Sequence, residues 1–244
     1  MRITNEPVFI LHTRPWRETS LLVEALSANY GRMGLLARGV QGPKRQLLRA
    51  ALQPLQYSRI DAVQRGELAQ LRSAEALDAA PKPGGEATLA AFYVNELVLR
   101  LAARGDPQPE LFDAYRVMRA RLGTAEPLAW SLRRFERDLL DAIGFGMDFA
   151  HDGDGVAIDP AARYRLDPEH GPRRLLSDRG HGDRSDAATG RALLLLADAA
   201  EAPPGADDLA GLRRALRPVL EHHLGGRPLK SWDLMRDIGR LVKP

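Results

Sequence analysis

Cysteine is absent from the 244 residues. Disulfides, thiolate metal sites and a cysteine nucleophile are therefore excluded, and a reducing compartment is permitted. Aromatic residues make up only 6%, so a small core needs most of them inside. Long apolar runs are missing as well: the densest, residues 192–197, is far short of a bilayer span, and the opening Met1-Arg2-Ile3-Thr4-Asn5-Glu6 has no apolar signal core. These absences predict a soluble, cytoplasmic protein with no membrane association. What is present, 44% hydrophobic and 27% charged residues, is an ordinary globular balance for one large domain or two small ones.

Acids are missing from one long stretch. Residues 25–60 hold Arg32, Arg38, Lys44, Arg45, Arg49 and Arg59 and no Asp or Glu. Residues 1–80 carry 11 Lys+Arg against 7 Asp+Glu, a net of +4, whereas residues 81–244 carry 24 against 25. Fixed cations of one sign suit a polyanion, because binding its phosphates releases counterions. The competing reading is a basic face whose acids lie elsewhere in space.

The same first third is written in strands. Residues 8–13, 21–26 and 33–38 are β-prone, and Asn29-Tyr30-Gly31 supplies the tight turn of a hairpin. Residues 45–52 read as one short helix with Leu47, Leu48 and Leu52 as its apolar contacts, stopped by Pro54. Residues 55–60 and 68–74 are two further strands around Gln64-Arg65-Gly66. Five strands with a helix between the third and fourth predict an OB-fold barrel over residues 1–80, a half-open five-stranded sheet being the alternative. Pro81-Lys82-Pro83-Gly84-Gly85 then breaks the pattern and predicts the domain boundary.

Beyond that cluster the period becomes helical. Ala90, Tyr93, Val94, Leu97, Val98 and Leu101 mark one buried helix face, and residues 110–122 form a second helix. A third opens near Pro127, with Leu128, Leu132, Phe135, Leu139 and Ala142 on one face, and ends at Gly144 and Gly146. Residues 148–186, rich in Gly, Asp, Pro and His, read as an irregular/β insertion. Helices resume over residues 187–197 and 209–224, Gly225-Gly226 closes the latter, and Ser231 is the expected N-cap of the last helix. The predicted class is α+β: an OB-fold barrel followed by an α-helical domain over residues 81–244.

Leu11-His12-Thr13-Arg14-Pro15-Trp16-Arg17-Glu18-Thr19-Ser20-Leu21, Gly31-Arg32-Met33-Gly34-Leu35-Leu36-Ala37-Arg38-Gly39 and Leu52-Gln53-Pro54-Leu55 resemble the amino-terminal barrel of the RecO family of bacterial recombination mediators. Asn95-Glu96-Leu97, Glu110-Leu111-Phe112, Leu132-Arg133-Arg134-Phe135-Glu136, Gly144-Phe145-Gly146 and Leu224-Gly225-Gly226-Arg227-Pro228-Leu229-Lys230-Ser231 extend the resemblance, in family order, over nearly the whole chain. The resemblance implies a DNA-binding, strand-annealing mediator of DNA repair and recombination in the RecFOR pathway, not an enzyme. Such a protein binds single- and double-stranded DNA, works with RecR, and helps load RecA onto single strands coated by single-stranded-DNA-binding protein, in the cytoplasm at the nucleoid. Some family members hold zinc with four cysteines in the insertion. Here His151, Asp152, Asp154, Asp159, His170 and His181 lack a compact zinc spacing, and Asp152-Gly153-Asp154-Gly155 leaves the EF-hand pattern after its first positions. No metal and no other cofactor is expected.

For DNA the candidate residues are Arg14, Trp16, Arg17, Arg32, Arg38, Lys44, Arg45 and Arg49. Guanidinium groups suit phosphates, and an aromatic ring stacks on any base. For Trp16, as for Tyr57, core packing is the competing reading. The resemblance also implies a pocket in the helical domain for the acidic, hydrophobic carboxy-terminal tail of single-stranded-DNA-binding protein, with Arg133 matching one of its arginines and Leu132, Phe135 and Arg137 around it. Ion pairs of these arginines with Glu136 or Asp141 are the alternative. Gly225 to Ser231 ends in Lys-Ser but lacks the glycine before Lys230 that a phosphate loop needs, and Pro228 removes a backbone donor. His222 and His223, about 100° apart on a helix, diverge and do not readily share a metal. Two other functions stay open: a metal-dependent nuclease using the acids of residues 148–186, and a pure protein adaptor with an incidental basic face.

Overall fold

The computed structural model describes residues 1–42, 45–124, 126–175, 186–198 and 202–241, with side chains described through Asp237. Alternation of inward and outward side chains decides the first third. β1 (Arg2–Trp16), β2 (Ser20–Ser27) and β3 (Gly31–Ala37) precede α1 (Gln46–Ala51), and β4 (Tyr57–Arg65) and β5 (Leu68–Ala76) follow it. The strands close in the order β1-β2-β3-β5-β4, and only the β3–β5 pairing is parallel. This is an OB-fold barrel, and the half-open sheet is not formed. Val8 and Ile10, Val23 and Ala25, Leu35 and Ala37, and Ile60 and Ala62 point at two-residue intervals into one core.

β1 is longer than the sequence suggests because it serves two neighbours, pairing with β4 through Arg2–Phe9 and with β2 through Val8–Trp16. Register shifts at residues 3–6 and 10–12 bend it round the barrel. Gly31 turns β2 into β3 with φ of 65°, and a Cβ there would lie 1.9 Å from the Asp106 carbonyl oxygen, so only glycine fits. On α1, Leu48 and Leu52 pack against the core, but Leu47 is 88% exposed. A six-residue helix lying on a barrel buries only one of its faces, which is why Leu47 fails to join them.

The outer face of β1 is apolar as well. The Phe9 ring lies 4.8 Å from Tyr57, 4.7 Å from Phe112 and 5.0 Å from Tyr115, which packs α3 (Pro109–Arg121) on the barrel beside α2 (Glu86–Leu101). Tyr57 is thus a packing residue. Asn95 of α2 donates to the Leu11 carbonyl at 2.8 Å and accepts from the Tyr115 hydroxyl at 2.7 Å. Burial pushes the Tyr115 phenol well above its ordinary pKa against the pull of Arg119, which keeps it a donor. Arg119 sits 5.5 Å from the Phe9 ring centre and makes paired bonds of 2.8 and 2.9 Å to Asp78. The Glu96 carboxylate accepts the backbone N–H groups of Lys230 and Ser231, each at 2.8 Å, and so caps α7 (Lys230–Leu241). Ser231 is therefore not the N-cap. It lies inside the first turn, and the cap reaches over from α2.

Packing divides the chain later than the breaker cluster at residues 81–85. One compact unit is Met1–Thr124 with Leu229–Pro244, so α2, α3 and α7 group with the barrel, and the other is Ala125–Pro228. The second unit contains α4 (Leu128–Ala142), a small sheet of β6 (Arg163–Asp167), β7 (Gly171–Arg174) and β8 (Ala188–Thr189) with β6 central, then α5 (Gly190–Ala197) and α6 (Ala206–His223). Thr189 caps α5 by accepting from the Ala192 N–H. Leu176 and His181 lie outside the described residues. The buried face of α4 is broader than the expected stripe: Trp130, Ser131, Arg133, Arg134, Glu136 and Leu140 are buried with Phe135 and Leu139, while Leu128, Leu132 and Ala142 are half-buried. The reason is that α4 packs against both α5 and α6.

Asn95→Ala leaves a buried carbonyl and a buried hydroxyl without partners and is expected to cost about 2–4 kcal/mol in urea unfolding. Glu96→Ala removes only a cap and should cost about 1 kcal/mol. A loss below that of Glu96→Ala would show that the Asn95 bonds do not hold α2 and α3 to the barrel.

Candidate nucleic-acid interface

The closed end of the β1–β2 hairpin carries Trp16, Arg17, Glu18 and Thr19. Arg17 turns the chain with φ of 54°, in the left-handed region that a non-glycine residue enters at a cost. On the outer face of the sheet, cross-strand pairing sets Arg14 opposite Leu22 and Leu22 opposite Leu36. Trp16 and Arg38 follow two residues on from Arg14 and Leu36, on that same face. An open groove of about 830 Å³ is lined by Arg17, Glu18, Thr19, Ser20 and Arg38.

The loop after β3 is fastened to this hairpin. The N–H groups of Val40 and Gln41 both donate to the Thr19 carbonyl, at 2.8 and 3.3 Å. From α1, Arg49 donates Nη1 to the carbonyls of Val40 and Gly42, at 3.0 and 2.8 Å. The Arg45 N–H donates to the Gly42 carbonyl at 3.1 Å. Hairpin, loop and helix thus form one hydrogen-bonded rim.

That rim sorts the eight candidates. Arg14, Trp16, Arg17, Arg38 and Arg45 are exposed, and among the described residues these four arginines make no ion pair. Arg49 is half-buried and committed to the loop carbonyls. Arg32 is likewise committed: it pairs with Glu24 at 3.1 Å and donates Nε to the Ala102 carbonyl at 2.9 Å, with Arg104 joining the same carboxylate. Burial, then Arg104, lowers the Arg32 pKa, and Glu24 opposes that shift. For this residue the acid does lie elsewhere, at Glu24, one position before the acid-free stretch begins. Lys44 is outside the described residues. Arg65, which the sequence showed only as part of a turn, is exposed at the β4–β5 loop beside Leu68, the residue paired with Gly34. OB barrels bind oligonucleotides on the β2–β3 face and at these two loops, so the barrel topology is the signal that could have singled it out.

In the second unit the partner candidates point inward. Arg133 is 6% exposed and donates Nη2 to Glu136 Oε1 at 2.6 Å, while its buried Nε has no partner. Phe135 is core, Leu132 is half-buried, and Arg137 bonds to Asp138 and the Leu196 carbonyl. Four acids of the insertion each face a separate basic side chain, at 2.8 Å for Asp148–His151, 3.1 Å for Asp154–Arg173, 2.9 Å for Asp159–Arg174 and 3.0 Å for Asp167–His170. Backbone N–H donors, then the histidines, hold the Asp148 and Asp167 carboxyls below their ordinary range. Among the described residues no three His, Asp or Glu gather to hold a metal. His223 does not diverge from His222 but meets it edge-on at 5.1 Å, because its ring stacks on Phe145 at 4.1 Å. Burial, then His222, lowers the His223 pKa.

Comparison with known proteins decides the family. The description "Recombination protein O N terminal" matches residues 1–80, and "Recombination protein O C terminal" matches residues 84–233. The chain belongs to the RecO family. The DNA repair protein RecO of Xanthomonas euvesicatoria pv. vesicatoria (strain 85-10) is 60% identical over 240 residues, which cover 98% of this chain and 99% of that protein. Its counterpart in Xanthomonas oryzae pv. oryzae (strain PXO99A) is 59% identical over 240 residues, with the same coverage. That of Xylella fastidiosa (strain M12) is 59% identical over 235 residues, 96% of each chain. The family is one of DNA repair proteins, and no described helix of this member is long and apolar enough to cross a membrane. Three of the stretches that carry the RecO resemblance meet in the bonds of Asn95 and Glu96 to Leu11, Lys230 and Ser231.

Arg32→Met and Arg49→Met are expected to lower stability by about 1–3 kcal/mol, because each leaves buried acceptors unpartnered. Arg38→Met and Arg45→Met should stay within about 0.5 kcal/mol of the parent. Thermal unfolding of the four variants checks the division, and equal sensitivity at all four positions would contradict it.

Proposed function

We propose that this RecO-family chain is a DNA-binding, strand-annealing mediator of recombinational repair in the RecFOR pathway and not an enzyme. The barrel rim holds strands by their phosphates. The helical part docks RecR and the acidic tail of single-stranded-DNA-binding protein, and RecA is loaded onto the single strand so prepared, in the cytoplasm at the nucleoid. The observation that carries the reading is the set of four exposed arginines, Arg14, Arg17, Arg38 and Arg45, that make no ion pair among the described residues and lie on one rim. Such cations gain from counterion release and need no catalytic group, metal or nucleotide. Four acids of the insertion that face separate basic side chains support this over a nuclease, which needs carboxylates converging on an ion.

The test is annealing of complementary oligonucleotides, bare and protein-coated, in EDTA, without ATP, across a salt series. Annealing should persist. A stoichiometric metal whose removal abolishes it would overturn the reading, and a wild-type chain with no salt-sensitive DNA binding would make the protein an adaptor. Each lost phosphate contact flattens the salt slope by about 0.7–0.9, so Arg38→Ala with Arg45→Ala should flatten it by about 1.4–1.8. An unchanged slope would move the site off this rim.

Tail docking rests on the family likeness and on the partnerless Arg133 Nε, and it requires Arg133 to exchange Glu136 for the peptide carboxylate. Arg133→Lys keeps the charge but loses the planar fork. It should weaken binding of an acidic tail peptide while annealing of bare strands persists. Equal loss on bare and coated strands would remove Arg133 from partner docking.

A further inference from the structure

We propose that the outer face of the β1–β4–β5 sheet is a second polyanion track, on which Arg2, Arg59, Arg65 and Arg72 take a second DNA strand while the rim holds the first. The proposal rests on the DNA-binding reading above and adds a site on another part of the barrel, with its own ligand.

β1 divides its length between two surfaces: its second half pairs with β2 and leads to the rim, and its first half pairs with β4. On β4, Ile60 and Ala62 point into the core, so Arg59, Asp61, Val63 and Arg65 point out. Cross-strand pairing extends that outer face. Arg2 lies opposite Val63, Val63 opposite Gln70, and Arg59 opposite Glu75. Arg72 joins by another route: Asp61 pairs with Ser73 and Ala62 with Leu71, which leaves Arg72 as the extra residue of a β-bulge, a device that re-aims a side chain. The four arginines thus stand at four levels of one sheet, spread over about 20 Å between Arg59 and Arg65.

All four are exposed, and among the described residues none makes an ion pair. The acids of the same face do not absorb them. Asp61 accepts the Asn5 backbone N–H at 3.0 Å and the Ser73 hydroxyl at 2.7 Å, so the fold itself uses that carboxylate, and Arg2 pulls on it without pairing. Glu75, although opposite Arg59, makes no ion pair among the described residues. Like charges ranged along one sheet repel, and a polyanion laid lengthwise over them relieves the repulsion and releases its counterions. The closed barrel offers no free strand edge to an extended acidic peptide, so main-chain pairing cannot hold one here. Guanidinium forks at successive levels suit a row of phosphates instead. Annealing must bring two mutually repelling strands together, and two separate sets of cations on one barrel let each strand be held before they meet.

The experiment counts strands. The full chain is titrated with a short oligo-dT, which cannot pair with itself; native mass spectrometry reads the strands bound per chain, and fluorescence anisotropy across a salt series reads each affinity. The variants are Arg59→Ala with Arg72→Ala and Arg59→Lys with Arg72→Lys; Arg65 borders the β2–β3 face and is left in place. Both side chains are exposed, so thermal midpoints should match the parent and report that each variant is folded. The parent should bind two strands. The alanine pair should keep the affinity and salt slope of the first strand, weaken the second about tenfold or more with its slope flattened by about 1.4, and slow annealing of bare complementary strands by a similar factor, while the lysine pair keeps both strands. A single strand per parent chain at saturation, a weakened first strand in the alanine pair, two strands and normal annealing in that folded variant, or a lysine pair that fails as fully as the alanine pair would each overturn the proposal and leave the DNA-binding reading in place. So would an alanine pair that keeps both strands but loses a polyglutamate peptide bound by the parent, since the face would then take a protein. Absence of any oligo-dT binding in the parent would sink the DNA-binding reading itself.

Discussion

The side-chain amide of Asn95 reaches from α2 to the backbone of β1, accepts the Tyr115 hydroxyl on its other side, and is buried while it does so. A buried amide with both ends satisfied is worth keeping in place, because moving it exposes two polar groups to an apolar surrounding. The next residue, Glu96, points about 100° away around the helix and holds the first turn of α7. One turn of α2 thereby ties together segments 84 and 134 residues apart in the chain. β1 leads from the tethered Leu11 to Trp16 within five residues, so the strand that presents the rim is anchored by a helix outside the barrel.

Charge in this barrel falls into two populations that composition cannot separate. Arg32, Arg49 and, from α3 beside the barrel, Arg119 spend their guanidinium groups on carboxylates and carbonyls of the fold, whereas among the described residues Arg14, Arg17, Arg38 and Arg45 have no such partner. A cation already facing a carboxylate releases few counterions when a phosphate arrives, and its own partner must be displaced first. The cations left available to a polyanion are thus fewer than the run of basic residues in the sequence.

The barrel was legible because two independent periodic signals agreed: alternation along β2, β3 and β4, and turn residues at Gly31 and Gly66 that take positive φ. The helices were legible for the same kind of reason, down to the Gly225-Gly226 stop at φ of 65° and 71°. What the sequence hid was a partner on another element or strand, or a second packing face. Ser231 looked like a cap because its true cap, Glu96, lies on another helix. Arg32 looked free because Glu24 faces it from the neighbouring strand. For Arg133 the sequence offered the ion pair with Glu136 as an alternative, but a one-sided stripe does not reveal that α4 packs on two sides and buries both. At the rim, Arg14, Trp16, Arg17, Arg38 and Arg45 were legible as residue types, but their separation from Arg32 and Arg49 required knowing which carbonyls and carboxylates come close in space.

The two ends of the β1–β2–β3 sheet obey local rules to different degrees. At the β2–β3 turn the buried Glu6 carboxylate accepts from Ser27 at 2.5 Å and from the Asn29 backbone and amide at 2.9 and 3.0 Å, and glycine supplies the positive φ. Every polar atom named there has a partner. At the β1–β2 turn an arginine takes the positive φ, a tryptophan is 42% exposed, and cations gather without carboxylate partners among the described residues. The positive φ at a non-glycine residue and the gathering of like charges each cost some stability. The barrel tolerates them because its closed hydrogen bonding and the Glu6 cluster secure the opposite end. Departures from folding preference in backbone, apolar exposure and charge thus fall together at the β1–β2 end of the sheet.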